Sequence, residues 1–121
     1  ILNARMYAMW LAFDMMMLKF SAWLEKNKIS DYDLIVMTDG NVCPKINFDK
    51  VFCFPKADAK YHSVMAASIL AKVCRDKIML EMDKKYPEYG YAKHKGYPTV
   101  AHREICKKIG PSPIQRKTFK Y

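Results

Sequence analysis

Between Asn3 and Asn27 apolar residues recur at three- and four-residue steps: Met6, Met9, Trp10, Phe13, Met16, Met17, Phe20, Trp23 and Leu24. That period predicts one amphipathic helix over residues 3–27, with its Met and aromatic stripe entering a core. A polar connection, Asn27–Asp31, follows. Leu34-Ile35-Val36-Met37 is then a short apolar run with β-branched residues, stopped by Thr38-Asp39-Gly40. It reads as a buried strand ended by a turn. A second strand is expected at Lys50–Phe54, closed by Pro55, with residues 41–49 as the loop between the two. Residues 62–84 predict a second long helix, whose early face (Ala66, Ala67, Ser68, Ala71) is small enough for a close approach to another backbone. Tyr86-Pro87-Glu88-Tyr89-Gly90 breaks it. A third helix is expected from Thr99 to Ile109, stopping at Gly110-Pro111, with a basic, irregular stretch over Ser112–Tyr121. The order helix, strand, strand, helix, helix indicates an α/β or α+β layer fold, and no internal repeat is visible.

With 121 residues, 51% of them hydrophobic, the chain suits one small domain with a packed core and excludes a disordered segment. It begins at Ile1 rather than Met, so upstream sequence is expected to have been removed or lost. No membrane association is expected, because the longest apolar stretch is interrupted by Asp14 and Lys19. Charge changes the picture more. Residues 1–58 carry seven Lys/Arg against seven Asp/Glu, whereas residues 59–121 carry fourteen against five, so the whole net charge of +9 lies in the second part. Such a basic surface suits a polyanion, nucleic acid first and an acidic membrane surface second, or simply a solvated exterior. Cys43, Cys53, Cys74 and Cys106 form no CxxC pair and do not stand at zinc spacing with the histidines. They are expected to be reduced thiols in a cytoplasmic protein.

Two acidic residues stand at predicted strand exits. Asp39 follows the first strand and precedes Gly40, and Asp58 follows the second and precedes a helix. Asp-Gly is also a common turn, and Asp58 also suits a helix cap. The pair, ahead of a basic half-chain, fits an oxygen-rich site for Mg²⁺ or Mn²⁺ facing a phosphate backbone. Between Tyr86 and Thr99, four tyrosines (Tyr86, Tyr89, Tyr91, Tyr97) alternate with Lys93, His94 and Lys95. This mixture suits sugar, base and phosphate contacts, or a Tyr-rich loop packed on the core.

Beyond these separate patterns, five segments resemble, in order, the motifs of the type 2 ribonuclease H family. They are Asp39-Gly40-Asn41; Pro55-Lys56-Ala57-Asp58-Ala59-Lys60; the helix Ser63–Asp76 containing Ala66-Ala67-Ser68-Ile69-Leu70-Ala71-Lys72-Val73-Cys74-Arg75-Asp76; Tyr86–Tyr91 with His94-Lys95-Gly96-Tyr97-Pro98-Thr99 and His102; and Gly110-Pro111-Ser112-Pro113-Ile114-Gln115-Arg116. The resemblance implies a ribonuclease-H-like α/β fold with two divalent ions held by four carboxylates. It also implies cleavage of the RNA strand of RNA–DNA hybrids and nicking at ribonucleotides embedded in duplex DNA. Asp39 and Asp58 are similar to the third and fourth carboxylates. Tyr97 is similar to the tyrosine that packs on the sugar at the RNA-to-DNA junction. Lys60 and Lys95 stand where phosphate contacts are implied. Asp76 reads as structural, paired with Lys72 one turn away.

The family's opening strand, with its adjacent Asp-Glu pair and Gly-Arg-Gly loop, has no counterpart in residues 1–121, and Gln115 and Ala57 replace the usual His and Gly. The expectation is therefore a single domain over 1–121, truncated at its N-terminus, with part of the central sheet missing, an incomplete metal site and no activity alone. An open strand edge would favour a swapped homodimer or a complementing N-terminal segment. The alternative is a non-catalytic nucleic-acid-binding fragment or subunit that requires a partner segment.

Overall fold

The structure, a computed structural model, describes residues 2–116. Helix α1 (Leu2–Asn27) leads to strand β1 (Val36–Asp39), strand β2 (Val51–Phe54) and a 3-10 turn (Ala57–Ala59). Helix α2 (His62–Lys85), a second 3-10 turn (Pro87–Tyr89), the short helix α3 (Tyr91–His94) and helix α4 (Val100–Ile109) follow. The mixed α/β class expected from the sequence is the class observed. The basic stretch from Ser112 lies outside the described residues beyond Arg116.

The chain divides into two compact units, one up to Ala66 and one from Ala67. In the first, β1 and β2 pair in parallel, with Val36 opposite Val51, Thr38 opposite Cys53 and Asp39 opposite Phe54. Val36 N–H donates to the Lys50 carbonyl and Gly40 N–H to that of Phe54. This shifts β1 two residues later than the apolar run alone suggests. Thr38 suits a strand and Asp39 does not, but both are paired with β2, so Asp39 is the last residue of the strand rather than the first of a turn. Leu34 and Ile35 precede the strand, and Ile35 is exposed.

The α1 stripe is only partly a core. Leu24 is buried, while Met6, Met9, Phe13, Met17 and Phe20 are half-buried. Phe13 packs on Phe48 of the β1–β2 loop and Phe20 meets Tyr32 edge-on. Trp10, Met16 and Trp23, expected inside, are exposed, Trp23 by 52%. Phe48 and Tyr32 cover only part of one side of a helix this long, and the row of Trp10, Met16 and Trp23 is left uncovered. The small residues Ala66, Ala67, Ser68 and Ala71 are exposed as well.

A second correction concerns the thiols. Cys43 and Cys53 form a disulfide, with their Cα atoms 5.4 Å apart. The turn after Asp39 brings Cys43 back beside β2, within the Cα range that a disulfide spans. Cys106 is buried and Cys74 exposed, both as free thiols.

In the second unit Tyr89, Tyr91 and Cys106 form a buried cluster, flanked by Met79, Met82, Tyr86 and Ile105. The Tyr91 hydroxyl is hydrogen-bonded to that of Ser112, and Tyr89 donates to the Gly110 carbonyl at 3.1 Å. These bonds tie the segment after α4 to the tyrosine-rich segment after α2. Thr99, expected as the first helical residue, instead caps α4 by accepting the His102 N–H at 3.3 Å. Lys72 and Asp76 form the expected one-turn ion pair at 3.0 Å. Among the described residues, no helix is long and apolar enough to cross a membrane.

Candidate metal site and nucleic-acid contacts

Asp39 ends β1 with an exposed side chain, and its Oδ1 accepts the Ala57 N–H at 3.0 Å. Ala57 is fully buried and opens the 3-10 turn that carries Asp58, which is half-buried. The turn follows Lys56, a left-handed residue at φ 58°, and is closed by the N–H groups of Lys60 and Tyr61, both donating to the Ala57 carbonyl at 3.0 and 2.9 Å. The Asp39 carboxylate is thus bonded to the residue immediately before Asp58. Lys60 caps the turn and is exposed. Thr38, next to Asp39, has a buried hydroxyl oxygen with no hydrogen-bond partner among the described residues. Asp39 and Asp58 offer hard oxygen donors of the type Mg²⁺ and Mn²⁺ take. Among the described residues, no three His, Cys, Asp or Glu side chains gather as a metal-holding group.

In the second unit Tyr97 is 51% exposed, while its backbone is held on three sides. Its N–H donates to the His94 carbonyl, and its own carbonyl accepts from Thr99 N–H, both at 2.8 Å. His102 Nδ1–H donates to the same carbonyl at 3.1 Å. Because a carbonyl only accepts, Nδ1 carries the proton, and His102 Nε2 is left to accept from the Gln115 side-chain amide. Burial, and secondarily the neighbouring His94, hold the His102 pKa below its usual value; the Tyr97 carbonyl opposes them. Gln115 also accepts the Ser112 N–H through its Oε1 at 2.7 Å. His94 stacks on His102 with ring centroids 4.0 Å apart, bonds the Tyr89 carbonyl through Nε2, and accepts the Gly96 N–H at Nδ1.

The Lys95-Gly96 turn carries both residues at positive φ, 50° and 76°. Few residues other than glycine adopt the φ of Gly96, and a Cβ there would also press Met79 Sδ at 3.2 Å, so glycine is favoured there. Lys95 itself is half-buried and Lys93 is exposed. Tyr97 borders an open pocket of about 620 Å³, which Arg75, Met79, Tyr91, His102 and Ile114 also line.

Comparison with known proteins agrees with the motif order. The family model for Ribonuclease HII matches residues 26–121. The chain belongs to the ribonuclease HII family. It is 45% identical to the Ribonuclease HII of Treponema denticola over 122 residues, covering 98% of this chain and 61% of that protein. It is 51% identical over 85 residues to that of Psychromonas ingrahamii, covering 70% of this chain and 41% of the relative. It is 60% identical over 65 residues to that of Thermus thermophilus, covering 54% and 32%. The chain therefore spans less than two thirds of these ribonuclease HII proteins. Its two parallel strands and their helices form part of a ribonuclease-H-like fold.

The candidate site residues of this ribonuclease HII chain fall into separate groups. Asp39, Asp58 and Lys60 belong to the first unit, and Lys95 and Tyr97 to the second. Motif reading picked out these five but treated Arg75 as part of a helix signature, and passed over His94, His102 and Gln115 as supports of the Tyr97 backbone. The clue for the histidines was their placement three residues before and five after Tyr97.

Proposed function

We propose that the chain is the part of a ribonuclease HII that contributes two of four metal-binding carboxylates, Asp39 and Asp58, and the sugar-contacting Tyr97. The proposed enzyme hydrolyses the RNA strand of RNA–DNA hybrids and nicks duplex DNA at embedded ribonucleotides. One observation supports it above the others: the Asp39 carboxylate, at the end of a parallel strand, is fastened to the amide beside Asp58. Strand exits of α/β sheets are where ligands collect.

Asp39 and Asp58 would hold the divalent ions, Mg²⁺ or Mn²⁺. When bound, a metal pair supplies charge neutralisation and an activated water for phosphodiester hydrolysis. The chain's own residues prepare for this. The Ala57 amide fixes one oxygen of Asp39 and leaves the other for a ligand. Lys60 and Lys95 offer cations to phosphates, and Tyr97 offers a half-exposed ring to a sugar. The substrate is an RNA–DNA hybrid or a ribonucleotide-containing duplex.

Alone, the 121 residues carry half the carboxylate set and are expected to be inactive. A complementing segment with the Asp-Glu pair and the Gly-Arg-Gly loop is the partner that would complete the site. It would also cover the exposed apolar row of α1. A swapped homodimer is the other way to cover that row. A second reading of the isolated chain, as a nucleic-acid-binding piece without catalysis, is supported by the excess of Lys and Arg over residues 59–121. The deciding experiment is Mg²⁺-dependent cleavage of a DNA duplex containing one ribonucleotide, with and without the complementing segment. Restored cleavage supports the enzyme reading. Duplex binding with no restoration supports the second.

A further inference from the structure

Arg75 lies in the interior of α2, twenty residues before Lys95 in sequence, yet its guanidinium reaches the turn that presents Tyr97. Nε and Nη2 both donate to the Lys95 carbonyl, at 3.4 and 3.2 Å. The same group lies over the Tyr97 ring, with Cζ 4.9 Å from the ring centroid. Three consequences follow from guanidinium chemistry. First, Nε and Nη2 form one of the edges with which an arginine grips a phosphate in bidentate fashion, and here that edge is occupied by a backbone carbonyl. Second, the carbonyl it holds belongs to a non-glycine residue at φ 50°, a conformation that persists only where surroundings enforce it. Third, the cation sits over the ring from the protein side while half of the tyrosine stays exposed, so the ring is braced from within.

We propose that Arg75 is a positioning residue for Tyr97: it locks the Lys95-Gly96 turn and the ring plane, and so presents the outer surface of the tyrosine to a nucleic-acid sugar. The inference rests on the proposed role of Tyr97 as the sugar contact. It adds that this role depends on one side chain of α2 that does not itself touch phosphate. A lysine cannot substitute, because a single ammonium cannot both hold the carbonyl with two edge N–H groups and keep its charge over the ring.

The test is a double-mutant cycle on the full chain, read as affinity for a fluorescent RNA–DNA hybrid at several salt concentrations. Tyr97→Ala is expected to weaken binding about tenfold, the scale of one lost stacking contact. Arg75→Gln is expected to weaken it by a similar factor, and the double variant no further than Tyr97→Ala alone. Arg75→Lys should behave as Arg75→Gln does, and the salt slope of both should stay parallel to that of the unmodified chain. Losses that multiply in the double variant, full rescue by Arg75→Lys, or a slope reduced by about one unit as for a lost phosphate contact would overturn the proposal. Should the Arg75 variants fail to fold, the same contact is read in the unmodified chain. The Arg75 side-chain N–H resonance should carry a ring-current shift that vanishes in Tyr97→Ala, and its persistence there overturns the proposal. Tyr97→Ala binding as well as the unmodified chain would sink the reading of Tyr97 and this proposal together. A Tyr97 effect with independent Arg75 losses sinks the positioning role alone.

Discussion

Asp39 and Ala57, eighteen residues apart in sequence, are joined by a 3.0 Å hydrogen bond from the Ala57 amide to the Asp39 carboxylate. Parallel pairing of β1 and β2 makes this possible, since Asp39 stands opposite Phe54 and the chain needs only three more residues to reach Ala57. The bond gives Asp39 a structural task alongside its proposed metal-binding one, and the two can be separated. Asp39→Ala removes the acceptor and should destabilise the chain by about 1–2 kcal/mol in urea unfolding. Asp39→Asn keeps an acceptor and should cost clearly less. Both should abolish Mn²⁺-induced broadening of the Asp58 amide in an NMR titration.

The contribution of charge to binding should separate from that of stacking. Lys95→Ala should weaken binding to a hybrid duplex and flatten the dependence of log affinity on log salt by about 0.9. Tyr97→Ala should weaken binding with the slope nearly kept. Comparable affinity of the chain for anionic vesicles would point to a general polyanion surface instead.

The elements with a strong period were legible in the sequence, and those set by pairing were not. α2 and α4 lie within two residues of where the spacing of apolar positions and the Thr99 and Gly110 signals put them. β1 was displaced because backbone pairing, not side-chain preference, admits Asp39. Trp10, Met16 and Trp23 have helical core spacing, but spacing does not say whether a partner layer exists to cover them. The tie between Asp39 and the residue beside Asp58 depends on strand register, and the contact of Arg75 with Tyr97 spans 22 positions. Neither leaves a local mark.

The Cys43–Cys53 disulfide was hidden for the same reason, and its presence is directly measurable. Under denaturing, non-reducing conditions the chain should titrate two thiols, and four after reduction. The bridge closes a loop of about ten residues, for which chain entropy implies roughly 2–3 kcal/mol of stabilisation. A reductant should lower the urea midpoint accordingly, and Cys43→Ser should make the chain insensitive to it.

His102 gives the chain a dependence on pH of predictable sign. Its folded pKa is lowered, chiefly by burial, so the unfolded chain takes up a proton first as pH falls. The stability linked to neutral His102 is fully present above the unfolded value of about 6.5 and is lost as pH drops from there through the lower folded value. The urea midpoint of the unmodified chain should fall more between pH 7 and pH 5 than that of His102→Gln. An equal fall in both would remove His102 as the cause.

Cleavage of a duplex with one embedded ribonucleotide tests the central claim most directly, that Asp39 and Asp58 are working members of a ribonuclease HII metal site. The 121-residue chain alone should leave the duplex intact in Mg²⁺ or Mn²⁺. Supplied with a segment bearing the Asp-Glu pair and the Gly-Arg-Gly loop, it should nick the duplex at the ribonucleotide. Asp39→Asn and Asp58→Asn should each cut that rate by about a hundredfold or more, the scale of losing a group that holds the metal. Restored cleavage that survives both substitutions would contradict the assignment.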